Sequence, residues 1–225
     1  MASPVPLARR LFLTGAATIL CQACGDTWTK GIPQAARTYV LKGEDLTLTR
    51  DDVTRIPYAS IAVRFSNNAQ SLLILARYEG DDLHWISTQR EVLVTRHGRL
   101  VKTYGLPNDI RDTHFMTADP VGKPIAADAM QSDCLRTIDL EPRHVDGIVI
   151  RSRFENAGRE ELTILDAKLA TELWIESNVA PDLDWSFTNR FWIDAGSGYV
   201  WKSQQYLSPG LPPLEIIVYR PAAQT

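Results

Sequence analysis

The chain has 225 residues and a formal charge of −3, with 44% of residues hydrophobic and 23% charged. This acidic balance, with no block of clustered Lys and Arg, argues against nucleic acid as a partner, because neutralising phosphates needs such a block. The size permits one well-buried domain, and no run after the N-terminus approaches the ~20 apolar residues of a spanning helix.

In chain order, Arg9-Arg10 comes first, then an apolar run from Leu11 to Leu20, then Cys21-Gln22-Ala23-Cys24. Positive residues, an apolar stretch and a small residue before a cut make an export signal, to be set aside from fold reasoning. A small side chain (Ala23) before an acylatable thiol (Cys24) is the logic of a lipobox, whereas Cys21 follows Leu20 and does not fit. Residues 1–23 therefore read as a lipoprotein signal peptide and Cys24 as the lipidated residue. The apolar run, broken by Thr14, Gly15 and Thr18, is too short to be a transmembrane anchor. Arg9-Arg10-Leu11-Phe12-Leu13 matches the twin-arginine pattern, and ordinary Sec export stays open beside it. Gly25 rather than an acidic residue follows Cys24, so nothing signals retention at the inner membrane. The expected address is the outer membrane, facing the periplasm. Cleavage also removes two positive charges, leaving a more acidic domain. Cys134 is then alone, without a disulfide partner, and reads as a buried free thiol rather than a nucleophile.

Residues 24–37 read as a lipidated tether. Thr49–Ile56 predicts a short helix, with Thr49 as N-cap and Asp51 and Asp52 at its positive end, stopped by Pro57. Strands follow at Tyr58–Phe65, Ser71–Tyr78, Leu83–Ser87, Val92–His97 and Arg99–Tyr104, separated by short turns that make antiparallel neighbours. The stretch 106–133, rich in Pro, Ala and Asp, reads as a long excursion with a helical turn near Ala126–Gln131. Strands resume at Cys134–Leu140, Gly147–Asn156, Leu162–Ile175, Trp185–Asp194, Tyr199–Tyr206 and Leu214–Tyr219. Asn156-Ala157-Gly158-Arg159 and Asp194-Ala195-Gly196-Ser197-Gly198 read as hairpin turns. Leu162–Ile175 also fits a helical period, but Thr163, Thr171 and Trp174-Ile175 favour strand. The fold class expected is all-β: an antiparallel meander forming a β-sandwich or partly open barrel, with one short N-terminal helix. One periplasmic domain spans 38–221, and 222–225 reads as a frayed tail.

No catalytic motif emerges. Gly196-Ser197-Gly198 has the wrong spacing for a nucleophile elbow and is explained by turn geometry. His84, His97, His114 and His144 lie far apart, without metal-ligand spacing, so no metal and no cofactor beyond the lipid on Cys24 is expected. Asp51-Asp52, Asp81-Asp82 and Glu160-Glu161 are adjacent acids, but neighbours on a strand point to opposite faces and form no dyad. Aromatics concentrate in the C-terminal third, where they either fill the core or stack on sugar rings. Strict alternation would place Tyr199, Trp201 and Ser203 on one face, against Val200, Lys202, Gln204 and Tyr206.

The lipobox at Cys24 is followed by Ile56-Pro57-Tyr58-Ala59-Ser60-Ile61, by Trp85, and by Gly98-Arg99-Leu100-Val101-Lys102-Thr103-Tyr104-Gly105-Leu106. Phe191-Trp192-Ile193-Asp194 and Gly198-Tyr199-Val200-Trp201-Lys202-Ser203-Gln204-Gln205 complete the series. In this order and spacing, across most of residues 24–221, the segments resemble the YjbF family of outer-membrane lipoproteins of group-four capsule and exopolysaccharide loci. The resemblance implies an all-β periplasmic domain tethered to the outer membrane. It further implies a role in polysaccharide production or export beside an outer-membrane β-barrel and other accessory proteins. It carries over no catalytic residue. Arg99, Lys102 and Lys202, with Trp192, Tyr199 and Trp201, are the candidate contacts for glycan or partner, against the alternative that the cations are merely salt-bridged. A non-enzymatic accessory protein is the first expectation. A polysaccharide-modifying enzyme with a carboxylate-based site is the second, and a structural lipoprotein without glycan contact the third.

Overall fold

The computed structural model describes residues 48–66, 69–106, 108–123, 133–141 and 145–223. The signal peptide, the tether, the helical turn expected near Ala126–Gln131 and His144 lie outside these residues.

Helix α1 (Arg50–Arg55) forms as its capping box dictates. The Thr49 hydroxyl accepts from the Asp52 amide, and the Asp52 carboxylate accepts from the Thr49 amide. Both first-turn amides would otherwise lack partners. Twelve strands follow: β1 (Ser60–Phe65), β2 (Ser71–Glu79), β3 (Asp82–Ile86), β4 (Val92–Arg96), β5 (Arg99–Tyr104), β6 (Ile110–Phe115), β7 (Cys134–Leu140), β8 (Val145–Ile164), β9 (Ala167–Ala180), β10 (Trp185–Ile193), β11 (Val200–Gln205) and β12 (Leu214–Arg220).

All twelve belong to one antiparallel sheet, in the order β5-β4-β3-β2-β1-β12-β11-β10-β9-β8-β7-β6. Each strand pairs with its neighbour in sequence except β5 with β6, and β1 pairs with β12 across the chain's two ends. Of the two architectures expected, the meander therefore builds the barrel, open at one seam between β5 and β6. Side chains bridge that seam where the ladder is missing. Thr113 Oγ1 donates to the Val101 carbonyl at 2.7 Å, and the Ile110 amide donates to Thr103 Oγ1 at 3.0 Å.

Register carries one face around the sheet: Trp174 stands opposite Phe191, Phe191 opposite Ser203, Ser203 opposite Ile216, and Ile216 opposite Val63. The largest apolar cluster draws on β1 through β10 and on β12, so that face is the lumen. The lumen is layered. Reading away from one end, β8 presents Ile148, Ile150, Ser152 and Phe154; β9 read in reverse presents Ala180, Asn178, Glu176 and Trp174; and β10 presents Phe187, Asn189, Phe191 and Ile193, all buried. A polar layer is thus sandwiched between two apolar ones.

Three local expectations are corrected. Asn156–Arg159 is a register shift within β8, not a hairpin turn: the Gly158 amide donates to Asn156 Oδ1, and Gly158 takes a φ of +102° as the strand bends. The hairpin turns instead at Leu165-Asp166, inside the stretch expected as one strand. Both residues have positive φ, 46° and 65°, as the primed turn that suits strand twist requires. The excursion 106–133 contains β6, and beyond it Asp119–Gly122 folds back so that Val121 is buried against Phe154, Trp174 and Phe191. Past β12, Ala222 packs against the lumen cluster.

The bend lets the far half of the β8–β9 hairpin cover the barrel's outside. Leu162, Ile164 and Leu169 pack there on Trp192, Ile217 and Tyr219.

Candidate functional site

In a meander, alternate connections fall at the same end. The β2–β3, β4–β5 and β10–β11 turns meet at the end where α1 delivers the chain into β1, and there a cavity of about 350 Å³ opens into the lumen. Tyr78, Trp85, Tyr199 and Trp201 supply aromatic surface, and Asp81, His97 and Ser197 supply polar groups at the turns. Ile61, Leu83, Ile216 and Val218 add aliphatic wall. The volume lies within the ~300–1,000 Å³ typical of small-molecule sites, and a mostly apolar wall with a few polar groups is their usual make-up.

Local rules place each wall. Asp194 accepts from the Ser197 amide at 2.8 Å and hydroxyl at 2.7 Å, and its backbone closes on Tyr199 and Gly198, clipping the β10–β11 loop that presents Tyr199. The Ser197 hydroxyl and amide hold the Asp194 carboxyl below the usual carboxylate range. Trp201 is the extra residue of a bulge: Ile193 pairs with Val200 and Trp192 with Lys202, leaving Trp201 opposite nothing. The bulge overturns the alternation expected along β11. Val200 packs in the lumen, as Ser203 does, while the Trp201 ring touches both the lumen cluster and the outer one. Tyr199 and Trp201 meet edge to face at 4.9 Å, and burial pushes the Tyr199 phenol up to about 12, so it stays a neutral hydroxyl. Trp85 Nε1 donates to Thr95 Oγ1 at 2.8 Å, fixing the ring.

Gly98 and Gly122 allow the mouth to close tightly. A Cβ on Gly98 would lie 2.5 Å from Val200 Cβ, and one on Gly122 only 2.0 Å from His97 Cβ, with φ of +92° and +88°. His97 Nε2 lies 3.7 Å from Asp81 Oδ2 across the rim.

Farther in, the polar layer is an ion network. Arg99 makes a two-pronged pair with Asp119 at 2.6 and 2.9 Å and meets Glu176 at 3.0 Å, while Arg136 meets Glu176 at 2.9 Å. Asn189 donates to Glu176 at 2.7 Å, and Ser152 Oγ and Asn178 Oδ1 accept from Arg136 Nη1 and Nη2. Burial works to raise the Glu176 carboxyl, but Arg136 and Arg99 outweigh it and hold the group well below the usual carboxylate range. Gln205 links this layer to the cavity, donating to the Gly98 carbonyl and to Ser203 Oγ and accepting from the Leu100 amide.

The six candidate contacts separate. Tyr199 and Trp201 line the cavity. Lys202 lines it as well, but its ammonium is spent on Glu215 at 2.9 Å and on the Trp192 ring at 4.8 Å. Arg99 is only 2% exposed and belongs to the ion network, so it meets internal carboxylates rather than an acidic sugar. Trp192 is buried under the β8–β9 hairpin. Lys102 lies at the seam, 3.2 Å from Asp112 of β6. Sequence reasoning missed Tyr78, Trp85, Asp81 and His97 as wall residues. Among the described residues no group of His, Cys, Asp and Glu could hold a metal ion, and Asp81 is the one acidic residue on the cavity wall.

These features define a nearly closed antiparallel barrel with an aromatic mouth. The family described as "Group 4 capsule polysaccharide lipoprotein gfcB, YjbF" matches residues 34–218, and the chain belongs to it. Lipoprotein GfcB of Escherichia coli (strain K12) is 27% identical over 191 residues, covering 83% of this chain and 87% of its own. Lipoprotein YjbF of the same organism is 28% identical over 207 residues, covering 92% and 95%. The crystal structure of the hypothetical lipoprotein YmcC from Escherichia coli (K12) superposes with a TM-score of 0.71 at 26% identity, covering 80% of this chain and 92% of that one.

Proposed function

We propose that the protein is a lipid-anchored periplasmic accessory of group-four capsule or related exopolysaccharide production, held at the outer membrane through Cys24 and binding glycan in its aromatic-mouthed cavity. The observation that carries this reading is the convergence of Tyr78, Trp85, Tyr199 and Trp201 on one opening of sugar-sized volume. Sugar rings present apolar C–H faces that stack on aromatic rings, while their hydroxyls would find Asp81, His97 and Ser197. Delivery of bound glycan to an outer-membrane β-barrel of the export system would then follow from the anchor.

Titration with oligosaccharides released from the host's own surface polysaccharide tests it. Saturable binding weakened about tenfold or more by Trp201→Ala supports the reading, since one lost aromatic stacking partner is worth ~1–3 kcal/mol in comparable platforms. Absence of binding by the unaltered protein refutes the glycan role. Unchanged surface polysaccharide in a deletion strain refutes the accessory role. A second reading, a polysaccharide-modifying enzyme, draws on the Asp81–His97 approach at the rim. It requires new chain ends to appear on incubation and to vanish in Asp81→Asn.

A further inference from the structure

A second cavity, of about 400 Å³, opens outside the barrel at the same end. Its walls are Ile164, Leu165 and Leu169 from the tip of the β8–β9 hairpin, Trp201 and Tyr219 from β11 and β12, and Val53 from α1. Two guanidinium-bearing residues, Arg50 and Arg220, also line it, and no acidic residue shares it among the described residues. Such a groove suits a hydrocarbon chain that ends in a negative charge.

The fold supplies the direction. α1 leads into β1 at this end, so the described chain enters the barrel beside the groove. The anchor's own acyl groups would satisfy the apolar walls but carry no anionic head to meet Arg50 and the rest of the Arg220 guanidinium, whose Nη1 donates to the Ile56 carbonyl. An anionic leaflet lipid explains both.

We propose that this groove takes one acyl chain of an anionic phospholipid, with the lipid phosphate against Arg50 and Arg220, seating the barrel's open end on the leaflet. The proposal rests on the reading of Cys24 as the anchor but not on glycan binding. Cationic residues at an anionic surface act at short range and are screened by salt.

The full-length protein, incorporated into phosphatidylcholine vesicles carrying either a photoactivatable phosphatidylglycerol or the matching phosphatidylcholine, tests it. The crosslinking group lies within the acyl chain. Labelling is expected on residues 164–169 and on β12, favouring the phosphatidylglycerol probe by about fivefold or more. Arg50→Gln with Arg220→Gln is expected to remove that preference, and Leu169→Asp to remove labelling by both probes. Labelling confined to other surfaces, or equal labelling by both probes that the double variant leaves unchanged, overturns the proposal. The mass of the Cys24 peptide reads the anchor separately, so a missing lipid there and an unlabelled groove are distinct results.

Discussion

Replacing Glu176 by Gln should unfold the barrel more readily than any surface change. The carboxylate is fully buried and accepts from Arg99 at 3.0 Å, Arg136 at 2.9 Å and Asn189 at 2.7 Å. With Asp119 it balances the two arginines. The amide keeps the shape and one acceptor oxygen but leaves an uncompensated positive charge inside the lumen. Breaking a buried pair from one side costs about 3–5 kcal/mol. For a chain of this size, ~2–4 °C of Tm per kcal/mol makes the expected drop roughly 6–20 °C. The pH dependence provides a second reading. A carboxyl held below its ordinary value of 4.5 contributes stability that is fully present above 4.5 and lost as pH falls from there toward the folded value. The unaltered protein should therefore lose stability below pH 4.5 by up to ~1.4 kcal/mol per pH unit from this group alone, and Glu176→Gln should lack that component. Thermal and urea unfolding across the acid range would measure both. A Tm change under about 2 °C, or parallel acid limbs for the two proteins, would refute the argument that this network holds the lumen together.

Gly122→Ala must push a Cβ to within 2.0 Å of His97 Cβ and impose a positive φ on alanine, so urea unfolding should show a loss of about 2 kcal/mol or more. Thr95→Val removes the acceptor 2.8 Å from Trp85 Nε1 and should cost about 1–3 kcal/mol, with a shift in tryptophan emission reporting the loosened ring. Cys24→Ala should abolish lipid attachment and move the protein from the membrane pellet to the soluble fraction; persistence in the pellet would contradict the anchor.

The meander was legible because strand composition and short turns decide which neighbours pair, and those signals are local. What escaped had local causes of its own. The β6 pattern fails to alternate because of a register slip between Ile110 and Asp112, so Ile110 and Thr113 point inward three residues apart. Asn156-Ala157-Gly158 carries the composition of a turn, yet the same glycine freedom serves a bend, and length alone separates the two. The true turn, Leu165-Asp166, hides because Leu165 is needed for packing on the outer cluster. The ion network leaves no spacing signal, since Arg99, Asp119, Arg136 and Glu176 come from four separate segments. One clue was present: Glu176 occupies the inward parity of Trp174, Asn178 and Ala180, where an unpaired charge would be intolerable. A charge at an inward position predicts a partner, though not which one.

The polar layer also bears on how a glycan-binding barrel of this kind would work. Trp174, Phe191, Ile193 and Val121 fill the lumen on one side of the network, and Phe187, Ile138 and Ile148 fill it on the other. Glu176 and its arginines stand between these two layers with their groups hydrogen-bonded to one another and to Asn189. On the proposed reading the cavity would act as a pocket rather than a conduit, taking a polymer by an end, a side branch or a few exposed residues. That mouth shares its end of the barrel with α1 and the start of β1. On the proposed reading, the site meets glycan where it is being passed through the outer membrane. Moving the tether, by circular permutation onto the β1–β2 turn at the opposite end, should leave glycan affinity intact while abolishing the polysaccharide phenotype. Retention of the phenotype would show that orientation plays no part.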